Sequence, residues 1–284
     1  MRELIRKYCD DNNLLFGVCL YSDYKRRSKR FKSKRFDYAK SVVSIAMPIG
    51  KNDTFSMASF AMDLDYHLVV MRHLKNISNL MSDDDLEYFT DSGPIDDKLI
   101  AYLSGIGYFG KNSLIISEKY GSYIMLGEIL TPFDIKPDSP VSMSCNSCTI
   151  CADECPVNAI GSIREKCLTG KLQVSNEDSP RYFEYYNTIY GCDICKSVCP
   201  QNIGIPITDE FDYDNFDFRD IIKCNESEFT KYEKYSFYWI GLDIMKRNCI
   251  VYAANKNISI DEYLYYVSMN EIIKPAVEYY MSKR

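Results

Sequence analysis

The hydrophobic residues of the N-terminal part of the chain follow helical spacing in some stretches and strand-like runs in others. Residues 1–7 have the spacing of an amphipathic helix, and residues 40–48 are an apolar run closed by Pro48, which predicts a buried strand. Between Ala61 and Met81, Leu64, Leu68, Met71 and Leu74 recur at helical spacing. These stretches predict alternating helices and strands.

The pattern continues to about residue 135. Residues 96–104 predict a second helix that ends at Gly105. Residues 113–116 and 123–130 predict two strands around a turn at 118–121, and therefore a hairpin. Residues 1–135 are thus expected to form one α/β or α+β domain with a core of its own.

The remainder of the chain has a different pattern. Residues 134–142 contain Pro137 and Pro140 and predict a linker. After Pro200 comes an acidic and aromatic segment (210–216), and residues 240–254 and 260–280 predict packed helices. The expected organisation is a domain at 1–135, a second at 136–205 and a helical region at 206–284.

Composition places the protein among ordinary globular proteins. Hydrophobic residues make up 46% and charged residues 26% of the 284 residues. We find no apolar run near the ~20 residues of a membrane span, and the N-terminus lacks the apolar core of a signal peptide. We therefore expect a cytoplasmic protein without a membrane partner.

One segment is strongly basic although the net charge is −6. Residues 25–35 carry eight cations in eleven positions. A local cluster of this kind is sufficient for phosphate contacts, so it could bind nucleic acid. A solvated loop is the alternative.

Twelve cysteines are many for a protein of reducing compartments, so metal or redox chemistry is the first hypothesis. Cys9, Cys19, Cys224 and Cys249 are scattered, and we interpret each as a small buried apolar residue. The other eight lie between Cys145 and Cys199.

The first group is Cys145, Cys148, Cys151 and Cys155, followed by Pro156, with the spacing of bacterial ferredoxins. Three thiolates two residues apart can surround one [4Fe–4S] cubane. The fourth enters a helix directed toward a second cluster. A zinc ribbon uses separated knuckles instead, and a disulfide scaffold does not place four cysteines so close.

The second group, Cys192, Cys195 and Cys199, is one cysteine short, and Cys167 can supply the missing thiolate. The pseudo-two-fold geometry of ferredoxins predicts that the two Cys-Pro residues, Cys155 and Cys199, exchange clusters. The expected first cluster is held by Cys145, Cys148, Cys151 and Cys199, and the second by Cys155, Cys167, Cys192 and Cys195. Two such clusters would move single electrons at low potential.

Several long motifs resemble epoxyqueuosine reductase. They are residues 91–94 (DSGP), 105–114 (GIGYFGKNSL), 120–122 (YGS) and 65–67 (DYH), together with the order of the cysteines. The similarity runs from about Val42 to Asn255. It implies a cobalamin-binding domain related to reductive dehalogenases, then a two-cluster ferredoxin domain and a helical tail.

The resemblance also implies the reaction, which is the reduction of epoxyqueuosine to queuosine in tRNA. Removal of the epoxide oxygen takes two electrons and protons; cobalamin would be the reactive centre and the clusters would recharge it. The motif match makes Asp91 the acid that protonates the departing oxygen. Without the match, Asp91 is interpreted as a helix cap or turn residue before Pro94.

The expected cobalamin contacts follow from the same match, and Lys111, Asn112 and Ser113 stand after a Gly-rich turn that suits cofactor binding. His67 lies in line with Leu64, Met71 and Leu74 and is interpreted as a core histidine. Because Val70 stands where the base-off cobalamin motif needs glycine, His67 is not assigned as a cobalt ligand. The full set of expected contacts is Asp91, Lys111, Asn112, Ser113, Ile115, Tyr120, Gly121, Ser122 and Leu126.

The chain also departs from the family. The N-terminal segment and the C-terminal helical repeat are shorter than expected, and the segment before Arg247-Asn248 carries few charges. These are regions expected to hold tRNA. The alternatives are a ferredoxin-type electron carrier, a cobalamin-dependent reductase of another substrate and, less attractive, a reductive dehalogenase. The expected partners are tRNA and a low-potential donor such as flavodoxin or ferredoxin, for a monomeric enzyme.

Overall fold

A computed structural model describes residues 1–29, 34–51, 56–81, 86–161, 164–205 and 216–284. The chain divides into two compact units whose segments alternate along the sequence. The first unit comprises Met1–Ile49, Tyr66–Thr149 and Cys199–Pro206, and the second comprises Gly50–Asp65, Ile150–Val198 and Ile207–Arg284. The functional division at residues 135 and 205 stays a prediction. The acidic segment predicted at 210–216 lies outside the described residues except for Phe216.

The first unit is built on a four-stranded antiparallel sheet in the order β1-β2-β6-β3. Apolar residues fill both faces of the central strands, so the sheet is covered by helices on both sides. A small second sheet pairs β4 with β5. The strands are β1 (Leu15–Leu20), β2 (Ser41–Pro48), β3 (Glu87–Phe89), β4 (Tyr108–Phe109), β5 (Ile115–Ile116) and β6 (Ile124–Thr131).

Alternate residues of β2 and β6 separate two cores. Val43, Ile45 and Ile129 point to one face with Val70 and Leu74, and each is fully buried there. Burial of a side chain of this size contributes about 1.5–3 kcal/mol. The opposite face carries two smaller apolar clusters beneath the other helices. The helices of this unit are α1 (Arg2–Asp11), α2 (Tyr21–Arg27), α3 (Tyr66–Leu80) and α4 (Asp97–Leu103), with 3₁₀ turns at Lys34–Phe36 and Pro200–Asn202.

Most of the predicted elements of this unit are confirmed. β2 matches the apolar run, and α4 begins after Asp96, whose side chain accepts a hydrogen bond from the Leu99 amide as an N-cap. The predicted hairpin is wrong. Ile115–Ile116 pairs with Tyr108–Phe109, whereas Ile124–Thr131 joins the large sheet. The turn between them contains a single bridge, from Ser117 to Gly121, instead of a strand ladder.

The second unit is helical and contains the C-terminal part of the chain. α10 is the predicted helix at 240–254, and its centre is buried on all sides. The predicted helix at 260–280 is instead a 3₁₀ turn followed by α11, which begins near Pro275 because proline suits a first helical turn. The other helices are α5 (Ile150–Asp153), α6 (Leu168–Gln173), α7 (Ile194–Ser197), α8 (Phe218–Lys223) and α9 (Glu226–Phe229), with α10 at Leu242–Asn255 and α11 at Lys274–Ser282. Further 3₁₀ turns span Ser59–Ala61, Arg164–Lys166, Ser179–Tyr185, Thr230–Tyr232, Tyr238–Ile240 and Asp261–Tyr266.

Among the described helices, none combines the length and the apolar composition that a membrane crossing requires. The four scattered cysteines are buried: Cys9 and Cys249 are fully covered, and Cys19 and Cys224 nearly so. Burial raises the pKa of Cys9 and of Cys19 to about 12, so both stay protonated thiols at neutral pH. Their interpretation as small apolar residues is confirmed.

One acid lies inside the sheet of the first unit. Glu128 of β6 is fully buried, and neither carboxyl oxygen has a hydrogen-bond partner among the described residues. Burial, and next the nearby Asp97, raise the pKa of Glu128 well above its ordinary value. Ser44 lies directly opposite in the strand pair and partly opposes this shift, although the two side chains do not reach hydrogen-bonding geometry. Burial therefore favours the protonated form of Glu128 in the folded protein.

A glutamine at position 128 should make the stability of the protein less sensitive to rising pH. The folded state holds the Glu128 proton, whereas the unfolded state releases it above the ordinary carboxyl pKa. The stability of the native protein therefore falls as pH rises above that ordinary pKa. Glu128→Gln has no proton to lose. We expect the melting temperature of this variant, relative to that of the native protein, to rise between pH 5 and pH 8. Glu271→Gln, at an exposed position, is the control, and its melting temperature should differ from the native value by the same amount at every pH. A difference that is equally constant for Glu128→Gln would contradict the prediction.

Candidate functional site

Asp91 lies in a loop directly after β3, where contacts with the sheet and with α3 hold it in place. Thr90 donates a hydrogen bond to the Leu126 carbonyl of β6 at 2.7 Å, which ties the loop to the sheet. The Tyr66 hydroxyl donates to Asp91 Oδ2 at 2.6 Å, and His67 Nε2 is 3.7 Å from the same oxygen. Tyr66 and His67 stand in the first turn of α3, with their rings stacked at 4.1 Å. The motifs 65–67 and 91–94 therefore meet.

The interpretation of His67 as a core histidine is wrong. The buried stripe of α3 runs through Tyr66, Val70, Leu74 and Ile77, and the helix begins at Tyr66 rather than at Ala61. Leu68, which the predicted stripe included, is 54% exposed. His67 falls outside that stripe, and about a third of its side chain is exposed. It faces Asp91 instead of the core.

The pKa of Asp91 is lowered. His67 lowers it most, partial burial acts in the opposite direction, and the Tyr66 hydroxyl lowers it further. The Asp91 side chain is nevertheless 60% exposed, so a substrate can reach it. The carboxylate is therefore the favoured form, close to two side chains that can carry protons.

Two predicted site residues have unusual backbone conformations. Among the described non-glycine residues with positive φ, four are asparagines, the type that tolerates this region well. The other two are Asp91 (φ 51°) and Ser113 (φ 63°). Backbone conformations of this kind often mark functional sites, and here both fall on residues that the motifs had already singled out.

The segment Lys111–Ser113 forms the turn of the β4–β5 hairpin. Gly110 precedes it, and a Cβ at Gly110 would lie 2.5 Å from Asn112 Oδ1, so a larger residue there would displace the Asn112 side chain. Asn112 Oδ1 accepts a hydrogen bond from the Leu114 amide, whereas Asn112 Nδ2 is buried with no partner among the described residues. This turn offers a donor that a bound group could use.

The remaining predicted cofactor residues lie near this hairpin in the first unit. Ile115 and Leu126 belong to one apolar cluster beneath α4. Gly121 has φ 54°, and Ser122 is 4% exposed. The turn that holds them is closed by Ser117, which bonds the Gly121 carbonyl, and Tyr120 bonds the Asn13 carbonyl at 3.0 Å.

The hairpin also contacts cysteines of both groups. Cys199, Tyr108 and Ile116 form a buried apolar cluster against which Cys145 packs. Burial raises the pKa of Tyr108, and Cys145, Cys199 and Cys148 raise it further, in that order. Cys145, Cys148 and Cys199 therefore lie close together in the first unit, although Cys199 follows the others by some fifty positions. Cys151 lies in α5, at the start of the second unit's segment Ile150–Val198.

The other cysteines lie in the second unit. Burial raises the pKa of Cys192 and of Cys195 to about 12, and Cys167 contributes to both shifts because it lies nearby. Cys155 contributes to the shift of Cys192. Among the described residues, no three His, Cys, Asp or Glu side chains converge on the position of one metal ion.

Arg247 and Asn248, in a region expected to hold tRNA, are buried inside the second unit. The Arg247 guanidinium donates to the Val174 carbonyl at 2.6 Å and to Asn248 Oδ1 at 2.7 Å. Asn248 Nδ2 donates to the carbonyls of Leu172 and Ile189, both at 2.8 Å. These bonds join the helix that follows Cys167 to the segment that precedes Cys192. The pair supports cysteine-bearing segments and is not available to an RNA.

The basic segment 25–35 is described only in part, since residues 30–33 lie outside the described residues. Lys25 pairs with Asp37, Arg26 with Asp23 at 2.8 Å, and Arg35 with Glu87. Exposed pairs of this kind contribute only about 0–1 kcal/mol, so a phosphate could displace them. Both the solvated loop and the nucleic-acid contact stay open.

The fold and the cysteines define a two-cluster iron–sulfur protein built around an α+β unit. Residues 144–202 match the profile of a 4Fe-4S double cluster binding domain. Epoxyqueuosine reductase of Lactococcus garvieae is 31% identical over 264 residues, which cover 83% of this chain and 75% of the relative. The chain belongs to the epoxyqueuosine reductase family.

Solved structures agree with this assignment. The structure of epoxyqueuosine reductase from Streptococcus thermophilus superposes with a TM-score of 0.85 at 25% identity, over 98% of this chain and 89% of that one. An epoxyqueuosine reductase crystallised with an epoxyqueuosine-modified tRNA-Tyr stem loop shares the fold, with a TM-score of 0.82 at 23% identity over 99% and 89% of the two chains. The fold therefore covers nearly the whole chain.

Proposed function

We propose that the protein is a cobalamin-dependent iron–sulfur reductase that converts epoxyqueuosine to queuosine in tRNA. The observation that carries this proposal is the meeting of Tyr66, His67 and Asp91 in a chain of this family. The residues present fit the two kinds of cofactor. Eight thiols stand at ferredoxin spacing, and the buried Asn112 amide, unpartnered among the described residues, lies in a turn shaped by glycine.

We assign the thiols as the sequence predicts. Cys145, Cys148, Cys151 and Cys199 would hold the first cluster, and Cys155, Cys167, Cys192 and Cys195 the second. The proximity of Cys199 to Cys145 supports the first set, and the influence of Cys155 and Cys167 on the Cys192 pKa supports the second. A zinc knuckle would not need Cys199 to return to the first group.

Cobalamin, when bound, would supply a reduced metal centre that can deliver the electrons to the substrate. The proposed contacts are the residues of the two turns with their apolar neighbours, and Asp91. Asp91, a carboxylate beside Tyr66 and His67, would take up a proton at its carboxyl oxygen for each reaction and pass it to the departing epoxide oxygen. Tyr66 orients Asp91 Oδ2 through its hydrogen bond, and His67 sets the pKa of the Asp91 carboxyl. The reaction consumes two electrons and two protons and releases the oxygen as water.

A decisive assay uses anaerobically reconstituted protein. It should take up cobalamin and convert epoxyqueuosine-containing tRNA to queuosine, as measured by nucleoside mass spectrometry. Bound cobalamin without turnover on this tRNA would leave a reductase of another substrate. About eight irons per chain with no cobalamin uptake would instead identify an electron carrier.

The partners belong to the same proposal. A low-potential donor such as flavodoxin or ferredoxin would reduce the clusters, since each turnover oxidises them. We place the protein in the cytoplasm as a monomer. Co-incubation with reduced flavodoxin or ferredoxin under anaerobic conditions should sustain repeated turnover, whereas omission of the donor should stop the reaction when the stored electrons are used.

Replacement of His67 tests how the proton donor is tuned. Because His67 is the main cause of the low Asp91 pKa, His67→Gln should raise that pKa toward the ordinary carboxyl value. Tyr66→Phe should raise it less. Carbon-13 NMR titration of the Asp91 carboxyl in cobalamin-free protein measures the shift directly. A higher pKa means that more of the carboxyl is protonated at a given pH. An unchanged pKa in His67→Gln would refute the assignment of His67.

A further inference from the structure

Asn202 joins two parts of the candidate site that are eighty residues apart in the sequence. It ends the 3₁₀ turn Pro200–Asn202, three residues after Cys199, and is 2% exposed. Its Oδ1 accepts a hydrogen bond from the Ser122 amide at 2.8 Å, and its Nδ2 donates to Ser122 Oγ at 2.9 Å. The two bonds fix the amide plane against the turn, because each uses a different atom of the side chain.

The other ends of this connection are equally constrained. The Asn202 backbone N–H donates to the Cys199 carbonyl at 2.9 Å, so Asn202 lies in the same tight turn as the cysteine. On the opposite side, a Cβ at Gly121 would lie 2.0 Å from Asn202 Oδ1 and 3.0 Å from the Gln201 carbonyl oxygen. Gly121 also has φ 54°, a conformation that glycine adopts without cost. The turn and the cysteine segment are therefore shaped to each other.

We propose that Asn202 is a positioning residue that holds the Cys199 segment against the Tyr120–Ser122 turn, and so fixes the separation between the first cluster and a cofactor bound at that turn. The inference rests on the proposed cofactors. The step it serves moves one electron, and no proton, from the reduced cluster to the bound cobalamin. Electron transfer slows steeply with separation, so a connection that excludes relative movement keeps this step fast.

The contacts distinguish Asn202 from the rest of the core. Within the first unit it is a buried amide that bonds a residue of the predicted cofactor turn through both side-chain atoms. Asn255 of α10 provides a comparison in the second unit. Its Nδ2 bridges the carbonyls of Phe183 and Tyr186 at 2.7 and 2.9 Å, with no predicted site residue involved. Asn255→Ala therefore controls for the loss of a bridging amide as such.

The test compares Asn202→Ala, Asn202→Asp and Asn255→Ala in iron-loaded, cobalamin-free protein. Hydrogen exchange at Ser122 and across Cys199–Asn202 should rise together in Asn202→Ala, while iron stays at about eight per chain. Asn202→Asp keeps an acceptor for the Ser122 amide and should show a smaller rise. Gly121→Ala should reproduce the Asn202→Ala pattern from the other side. Asn255→Ala should leave both segments unchanged.

A second readout follows the electron. After cobalamin is bound and the clusters are reduced, absorbance should show cobalt reduction slowed by about tenfold or more in Asn202→Ala. Exchange that rises in only one of the two segments, loss of the first cluster, or an unchanged rate of cobalt reduction would each overturn the proposal. If the native protein takes up no cobalamin, the proposed function fails on its own, and the exchange experiment still tests the connection.

Discussion

The Asp91→Asn variant is expected to lose turnover by about two to four orders of magnitude while it keeps its iron and its cobalamin. Asparagine preserves the size of the side chain but cannot deliver a carboxyl proton to the leaving oxygen. It also tolerates the positive φ at this position, so the loop needs no rearrangement. Single-turnover conversion of modified tRNA, together with iron and cobalamin content, measures the effect.

Asp91→Ala serves as the matched comparison, since alanine adopts positive φ only with strain. If both variants lose turnover equally, although the strain lowers the melting temperature of Asp91→Ala alone, the missing carboxyl is responsible. Turnover within about threefold of native in Asp91→Asn would contradict the role of Asp91 as the acid. A cofactor-free Asp91→Asn protein would assign the residue to binding instead.

The second large effect concerns the exchange of the two Cys-Pro residues between clusters. Cys199→Ala should lower the iron content from about eight to about four per chain, because one cubane loses a ligand. The double variant Cys145→Ala/Cys199→Ala should keep the same four, since both thiols belong to one cluster. Cys192→Ala/Cys199→Ala should lose both clusters. Iron analysis and electron paramagnetic resonance of the reduced proteins measure these outcomes.

The buried Cys249 provides the control, and Cys249→Ala should keep about eight irons. Retention of about four irons by Cys192→Ala/Cys199→Ala would show that these cysteines share a cluster. The assignment of Cys155 and Cys199 would then have to be reversed. Complete loss of iron in the single Cys199 variant would indicate that the clusters assemble only together.

Local patterns predicted much of this fold. The strand Ser41–Pro48 and the helix Asp97–Leu103 follow from runs of neighbouring residues, as does the cysteine spacing. The pairing of strands did not follow. Ile115–Ile116 is only two residues long, and its partner depends on Gly107, where a Cβ would lie 2.4 Å from the Ile116 carbonyl oxygen. Sequence spacing carries no record of so close a contact.

The site divides in the same way. The motifs singled out Asp91, but the direction of His67 depends on which face of α3 packs against the core, and the buried face runs through Tyr66, Val70 and Leu74. Glu128 stands inside an apolar run, and its burial without a partner among the described residues is visible only once the strands are paired. Asn202 and Ser122 are single polar residues eighty positions apart, and a chain taken without relatives gives no signal that links them.

The return of Cys199–Pro206 to the first unit has a consequence for biosynthesis. A chain leaving the ribosome can pair the four strands once residue 131 has emerged, yet the turn at Tyr120–Ser122 must wait for Asn202. During that interval the Ser122 amide lacks its partner and the first group of cysteines lacks Cys199. Long-range closure of this kind is slow compared with local folding. Iron is therefore best delivered after most of the chain has been made. A chain that has not yet closed this contact would leave its thiols exposed to oxidation.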